Sequence, residues 1–135
     1  MFSLHPYLLF DGNCATAFRD YERIFDGSDL SLTTVGESPM AAQFPPASAS
    51  RIINASLQFN GYVLCGSDWM AAPPYPGMGG FSLQLAWPNG PEPARVFAAL
   101  AAGGRVGMPL QKTPWAIAFG MVVDRFGVPW QFLVQ

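Results

Sequence analysis

NCATAFRDYERIFDG, residues 13–27, places Ala17, Phe18, Tyr21, Ile24 and Phe25 at the ~3.6-residue spacing of an amphipathic helix. NGPEPARVFAALAAG, residues 89–103, repeats the layout with Ala94, Val96, Phe97, Leu100 and Ala101. In each stretch an asparagine opens and a glycine closes the pattern. Asn13 is suited to accept from the free N–H groups of a first helical turn, and Gly27 and Gly103-Gly104 permit left-handed exits. Pro91 falls in the first turn of the second helix, where no N–H is needed.

Outward from the first helix, residues 4–10 form an apolar strand-like run before it. After it, residues 30–35 alternate apolar with Ser and Thr, and residues 52–59 and 62–67 flank Asn60-Gly61, a two-residue hairpin signal. The second helix has residues 81–87 before it and residues 105–111, 115–123 and 129–134 after it. Phe126-Gly127 stands in the turn that corresponds to Asn60-Gly61. The reading is an α+β chain made of a βαβββ module used twice. The first module covers about residues 1–67, a linker 68–80, and the second about 81–135. Paired modules of this kind meet around a shared cavity, so a small-molecule ligand is expected.

Two segments escape the repeat. Residues 36–50, rich in Pro, Ala and Ser, read as a mobile loop. The linker holds Trp69 and Tyr75, which either close over a cavity as a lid or, the better fit, pack against the sheet.

Composition sets the partners. Half of the 135 residues are hydrophobic and only 12% are charged, well below the ~25% of ordinary soluble domains. That shortage predicts surface hidden in a homodimer. A protein–protein interaction module built on the apolar surface is a third functional class. A net charge of −2, with seven scattered Lys and Arg, argues against nucleic acid. No apolar run reaches the ~20 residues of a membrane span. The first residues lack a cationic segment and Pro6 interrupts them, so no signal peptide is read. Cys14 and Cys65 are too few for a disulfide scaffold. The expected location is the cytoplasm.

The residues so far quoted carry a resemblance. Pro6-Tyr7-Leu8, Phe10-Asp11-Gly12-Asn13-Cys14, Ala17-Phe18 and Tyr21 resemble the opening of PhnB-like proteins, which belong to the vicinal oxygen chelate superfamily. Met108-Pro109-Leu110-Gln111, Thr113, Trp115, Phe119-Gly120, Val122, Asp124 and Phe126-Gly127-Val128-Pro129-Trp130 resemble the C-terminal signature of that group, and Gly80-Phe81-Ser82-Leu83 fits too. The resemblance implies a curled mixed-sheet cup of the glyoxalase/bleomycin resistance/dioxygenase type, with dimers common. It leaves the chemistry open, because one fold serves many reactions.

Metal-dependent members of the superfamily carry His, Glu or Gln ligands on the first and last strands of each module. By that resemblance the positions here are His5 or Pro6, Leu64 or Cys65, Ser82 and Gln131. None is acidic, so the resemblance implies a degenerate metal site, with His5 and Gln131 the two weak candidates for a divalent ion. The expected ligand-binding set is His5, Cys65, Ser82, Gln84, Trp115 and Gln131. Cys14, at a helix start where the dipole lowers a thiol pKa, reads as a buried structural residue. Trp130 reads as core, and Asp124 as the residue that fixes its hairpin through backbone N–H groups. The group is sometimes labelled demethylubiquinone methyltransferase. Such an enzyme needs a glycine-rich turn opening onto a helix, and Gly77-Met78-Gly79-Gly80 precedes a strand.

Overall fold

A computed structural model describes residues 1–135. The chain divides into two units, Met1–Gly77 and Met78–Gln135. The first contains β1 (Tyr7–Phe10), α1 (Cys14–Phe25), β2 (Ser28–Thr34), β3 (Ile52–Phe59) and β4 (Tyr62–Asp68). The second contains β5 (Leu83–Trp87), α2 (Glu92–Ala101), β6 (Arg105–Thr113), β7 (Ala116–Val123) and β8 (Pro129–Val134). Each unit is the expected βαβββ module, and both sheets share one topology. Their strand orders are β1-β4-β3-β2 and β5-β8-β7-β6, with the first pair parallel and the others antiparallel.

In the first unit α1 buries Cys14, Ala17, Phe18, Tyr21 and Ile24, the stripe its periodicity requires. β1 alternates, so Leu8 and Phe10 turn inward while Tyr7 and Leu9 turn away. Phe10, Phe18 and Tyr21 meet edge to face at centroid distances of 6.1 Å. Phe18 approaches the sheet so closely that a Cβ on Gly66 would lie 2.9 Å from its ring. Burial of side chains of this size contributes on the order of 2–3 kcal/mol each. Asn60 and Gly61 both take positive φ, the geometry of the two-residue hairpin that their identities signalled.

The helix ends differ from expectation. Asn13 makes no side-chain cap bond, and the left-handed residue at the C-terminus is Asp26 rather than Gly27, whose N–H instead bonds Glu22 O. Asp68, at the end of β4, does the capping. Its Oδ1 accepts from Gly12 N at 2.9 Å and Cys14 N at 3.0 Å, and its Oδ2 from Ile52 N at 2.8 Å. A buried carboxylate reached by three backbone donors satisfies the helix start and ties β1, β3 and β4 together.

In the second unit Val96 and Leu100 of α2 are buried, as are Val122, Trp130, Phe132 and Val134. Phe132 takes Trp87 against one side and the edge of Phe97 against another, at 5.2 and 5.0 Å. Asp124 fixes its turn as expected. Oδ1 accepts from Phe126 N and Val128 N at 2.9 and 3.0 Å, and Oδ2 from the Trp130 indole at 2.9 Å.

Asp68→Asn offers one carbonyl where two oxygens served three donors, and turns an N–H2 toward another N–H. The expected outcome is a loss of about 2–4 kcal/mol in urea unfolding, with the Asn13→Ala variant near wild type.

Candidate functional site

Each sheet carries its helix on one face, and the unit's other face bears no helix. In the second unit the strand register sets Gln84, Gln131, Met121 and Met108 in one row across β5, β8, β7 and β6. Alternation places this row opposite to Phe132 and Gly120, whose face α2 covers. The amide of Gln131 donates to Gln84 Oε1 at 2.8 Å. Phe119 and Leu133 occupy the next row on the same face, and the exposed Trp115 ring meets Phe119 edge to face at 5.7 Å. Three sequence-predicted residues, Gln84, Gln131 and Trp115, are therefore brought to one surface. Ser82 is exposed and lies ahead of β5, outside the paired register.

In the first unit the comparable row runs Tyr7, Cys65, Ser56 and Ser31 across β1, β4, β3 and β2. Asn54 and Thr33 pair in the neighbouring row. Cys65 is half-buried. His5 is exposed, precedes β1 and bonds the Ser3 hydroxyl at 3.0 Å. Polar serine, threonine and asparagine side chains on this face were not singled out from sequence, although their alternation with Ala55 and Leu57 carries the signal.

The donor chemistry does not fit a divalent ion. Within the paired rows the side chains are amides, hydroxyls, thioethers, one phenol and one thiol. Hard cations take carboxylate oxygens, and zinc or iron takes imidazole, carboxylate or several thiolates. No group of three His, Cys, Asp or Glu side chains gathers anywhere in the chain. Gln131, one of the two candidate ligands and the one read as a hydrogen-bonding group, donates its amide N–H to Gln84 Oε1.

Cys14 is no nucleophile. Burial, and after it the nearby Asp68 carboxylate, push its thiol from 9.0 up to about 12. The helix dipole acts in the opposite direction and is outweighed.

A cavity of about 540 Å3 lies in the first unit, where β1 and β4 end and β3 begins. Asp11, Arg51, Trp69, Met70, Pro74 and Tyr75 are among the residues that line it. Arg51 donates to Asp11 Oδ1 at 3.1 Å and to the Trp69 carbonyl at 3.0 Å. Trp69 and Tyr75 meet edge to face at 6.2 Å, and the Tyr75 hydroxyl donates to Leu9 O. Tyr75 is thus tied to the edge strand β1, and both linker aromatics line the cavity. Sequence reasoning missed Arg51, because nothing local connects it with Asp11, forty residues away.

A family model described as 3-demethylubiquinone-9 3-methyltransferase matches residues 3–133. Protein YjdN of Escherichia coli strain K12 is 36% identical over 138 residues, covering 97% of this chain and 94% of its own length. The crystal structure of protein PA1353 from Pseudomonas aeruginosa is 39% identical, with a TM-score of 0.90 over 100% of this chain and 98% of that one. The PhnB protein of Bacillus cereus, 24% identical, has a TM-score of 0.81 over 99% and 100% of the two chains. Fold alone is shared with the fosfomycin resistance protein FosX of Listeria monocytogenes, at 12% identity and a TM-score of 0.62 over 98% and 94%. The fold is that of the glyoxalase/bleomycin resistance group, as the sequence implied.

The two thiols should separate cleanly. At pH 8 the folded protein is expected to react with Ellman's reagent at Cys65 alone, and in denaturant at both cysteines. Because the folded Cys14 thiol holds its proton longer than an unfolded one, stability is expected to fall as pH rises from about 9 toward about 12.

Proposed function

We propose that this chain, which belongs to the 3-demethylubiquinone-9 3-methyltransferase family and shares the fold of PhnB proteins, binds a small uncharged organic molecule without a resident metal. One observation carries the reading. Gln84 and Gln131 pair with each other at 2.8 Å in the strand pair where metal-dependent members of the superfamily hold a ligand carboxylate. An amide pair offers donors and acceptors but no formal charge to neutralise a cation or an anion. Met121, Phe119 and Trp115 beside it supply soft, apolar contact. The low charge of the chain and the exposed Trp115, Ile117 and Met121 support a homodimer as the working form.

The family description names a methyl transfer. Support for it in this chain is weak, since each sheet has four strands with a single parallel pair. Gly77-Met78-Gly79-Gly80 leads into β5, so no helix N-terminus follows to hold an anionic cofactor group. No helix of the chain is long and apolar enough to cross a membrane.

A thermal-shift screen separates this reading from its rival, a metal-dependent lyase, isomerase or dioxygenase using His5 and Gln131. An uncharged organic ligand at saturating concentration is expected to raise Tm by about 5 °C, and the Gln131→Ala protein should need at least about tenfold more ligand for the same shift. A comparable rise with Mn, Fe, Ni or Zn, lost in His5→Ala, favours the rival.

A further inference from the structure

The cavity beside β1 in the first unit has a lining with a chemistry of its own. Asp11 and Arg51 stand 3.1 Å apart on its wall. Each is only partly satisfied. Asp11 uses Oδ1 alone, and the guanidinium has N–H groups beyond the two given to Asp11 and the Trp69 carbonyl. The indole and phenol rings of Trp69 and Tyr75, the Met70 thioether and the Pro74 ring add apolar surface to the wall, with Ser48 beside them. Gly12, beside Asp11, takes φ +90°, a turn conformation that L side chains rarely adopt.

We propose that this cavity is a binding site for an α-amino acid with an aromatic side chain. A lone anion is attracted by Arg51 and repelled by Asp11, and a lone cation meets the reverse. A ligand whose ammonium and carboxylate sit on one carbon meets both groups at once, its carboxylate on the free guanidinium edge and its ammonium on Asp11 Oδ2. The aromatic side chain then lies against Trp69 and Tyr75, where ring contacts add about 0.5–1.5 kcal/mol. A cavity of about 540 Å3 has room for such a molecule with bridging water.

The site is also held in place before any ligand arrives. Asp11, Arg51 and Trp69 each stand next in sequence to a residue of the Asp68 clamp: Gly12, Ile52 and Asp68 itself. The backbone on which the charged pair stands is thereby held by bonds to Asp68, which lowers the ordering cost of binding.

Two-dimensional 15N NMR with three probes tests this. L-phenylalanine is expected to shift the Trp69 indole N–H and the Gly12 amide saturably. The analogues 3-phenylpropionate, lacking the ammonium, and 2-phenylethylamine, lacking the carboxylate, should bind at least about tenfold more weakly. In Asp11→Asn, an exposed substitution, L-phenylalanine should lose its advantage over 3-phenylpropionate. In Arg51→Gln, whose fold is checked by the same spectrum, it should lose its advantage over 2-phenylethylamine. If either one-charge analogue binds the wild-type protein as tightly as L-phenylalanine, or the Asp11→Asn protein keeps the wild-type preference, the proposal is overturned. So is it if no saturable shift occurs up to on the order of 10 mM L-phenylalanine. Neither result bears on the Gln84–Gln131 surface.

Discussion

The carboxylate of Asp68 is the constraint on which the first unit depends. It receives N–H groups from the turn after β1, from the first residue of α1 and from the first residue of β3. Hydrogen bonds to a charged acceptor contribute about 1.5–3 kcal/mol each, and a buried carboxylate deprived of them costs more than that to hold. Local chemistry could cap α1 through Asn13, but such a cap would leave the helix free to swing. A cap supplied by β4 sets the helix against the sheet, and this explains how Phe18 can rest on Gly66 with no space for a methyl group. The second unit reaches the same topology by another device. Its buried aspartate, Asp124, closes the β7–β8 turn and grips the Trp130 indole, while α2 begins on Pro91 with no side-chain cap.

With the helix locked to one face, the chemistry of the opposite face becomes the variable that a duplicated fold can tune. The PhnB-like resemblance and the family match agree on the scaffold, and a shared scaffold does not by itself fix a reaction. A glutamate at Gln131 would lack a cationic neighbour in its row and would favour a metal ion. The glutamine instead finds its complement in Gln84, an uncharged exchange that needs no counter-ion. Methionine at two further positions of that row adds flexible, polarisable side chains beside the amide pair. In the first unit the comparable row is richer in hydroxyls, so the two faces differ in hydrogen-bonding character despite their common strand order.

Whatever depends on period or on adjacent residues could be read from the chain. The apolar stripe from Ala17 to Phe25, the Asn60-Gly61 turn and the Asp124 hairpin involve residues within one or two turns of each other, and all three stand as expected. Gln131 was picked out by its place after Trp130 in the family pattern and Trp115 by its place after Thr113-Pro114 at a strand entrance, and both lie on the face opposite α2 or beside it. Asn13 misled, since its residue type suits a cap while the actual acceptor lies 54 residues from Cys14. Gly27 misled for a related reason. Its Cβ position is crowded by Leu57 of β3, so the glycine answers a packing demand, and Asp26 takes the left-handed turn. Arg51 was invisible for want of any local partner.

That last omission has a structural logic. Clamp residues and cavity residues alternate along the chain: Asp11 then Gly12, Arg51 then Ile52, Asp68 then Trp69. The Asp68 carboxylate accepts from the backbone N–H of Gly12 and Ile52, so the neighbours Asp11, Arg51 and Trp69 are placed by one set of bonds. A single interior carboxylate therefore gathers an acid, a base and an aromatic ring onto one outer wall, although they are scattered over nearly sixty positions. The charged pair needs little stabilising energy of its own, consistent with the modest worth of exposed ion pairs. Its placement is inherited from the core, and both of its members line the cavity.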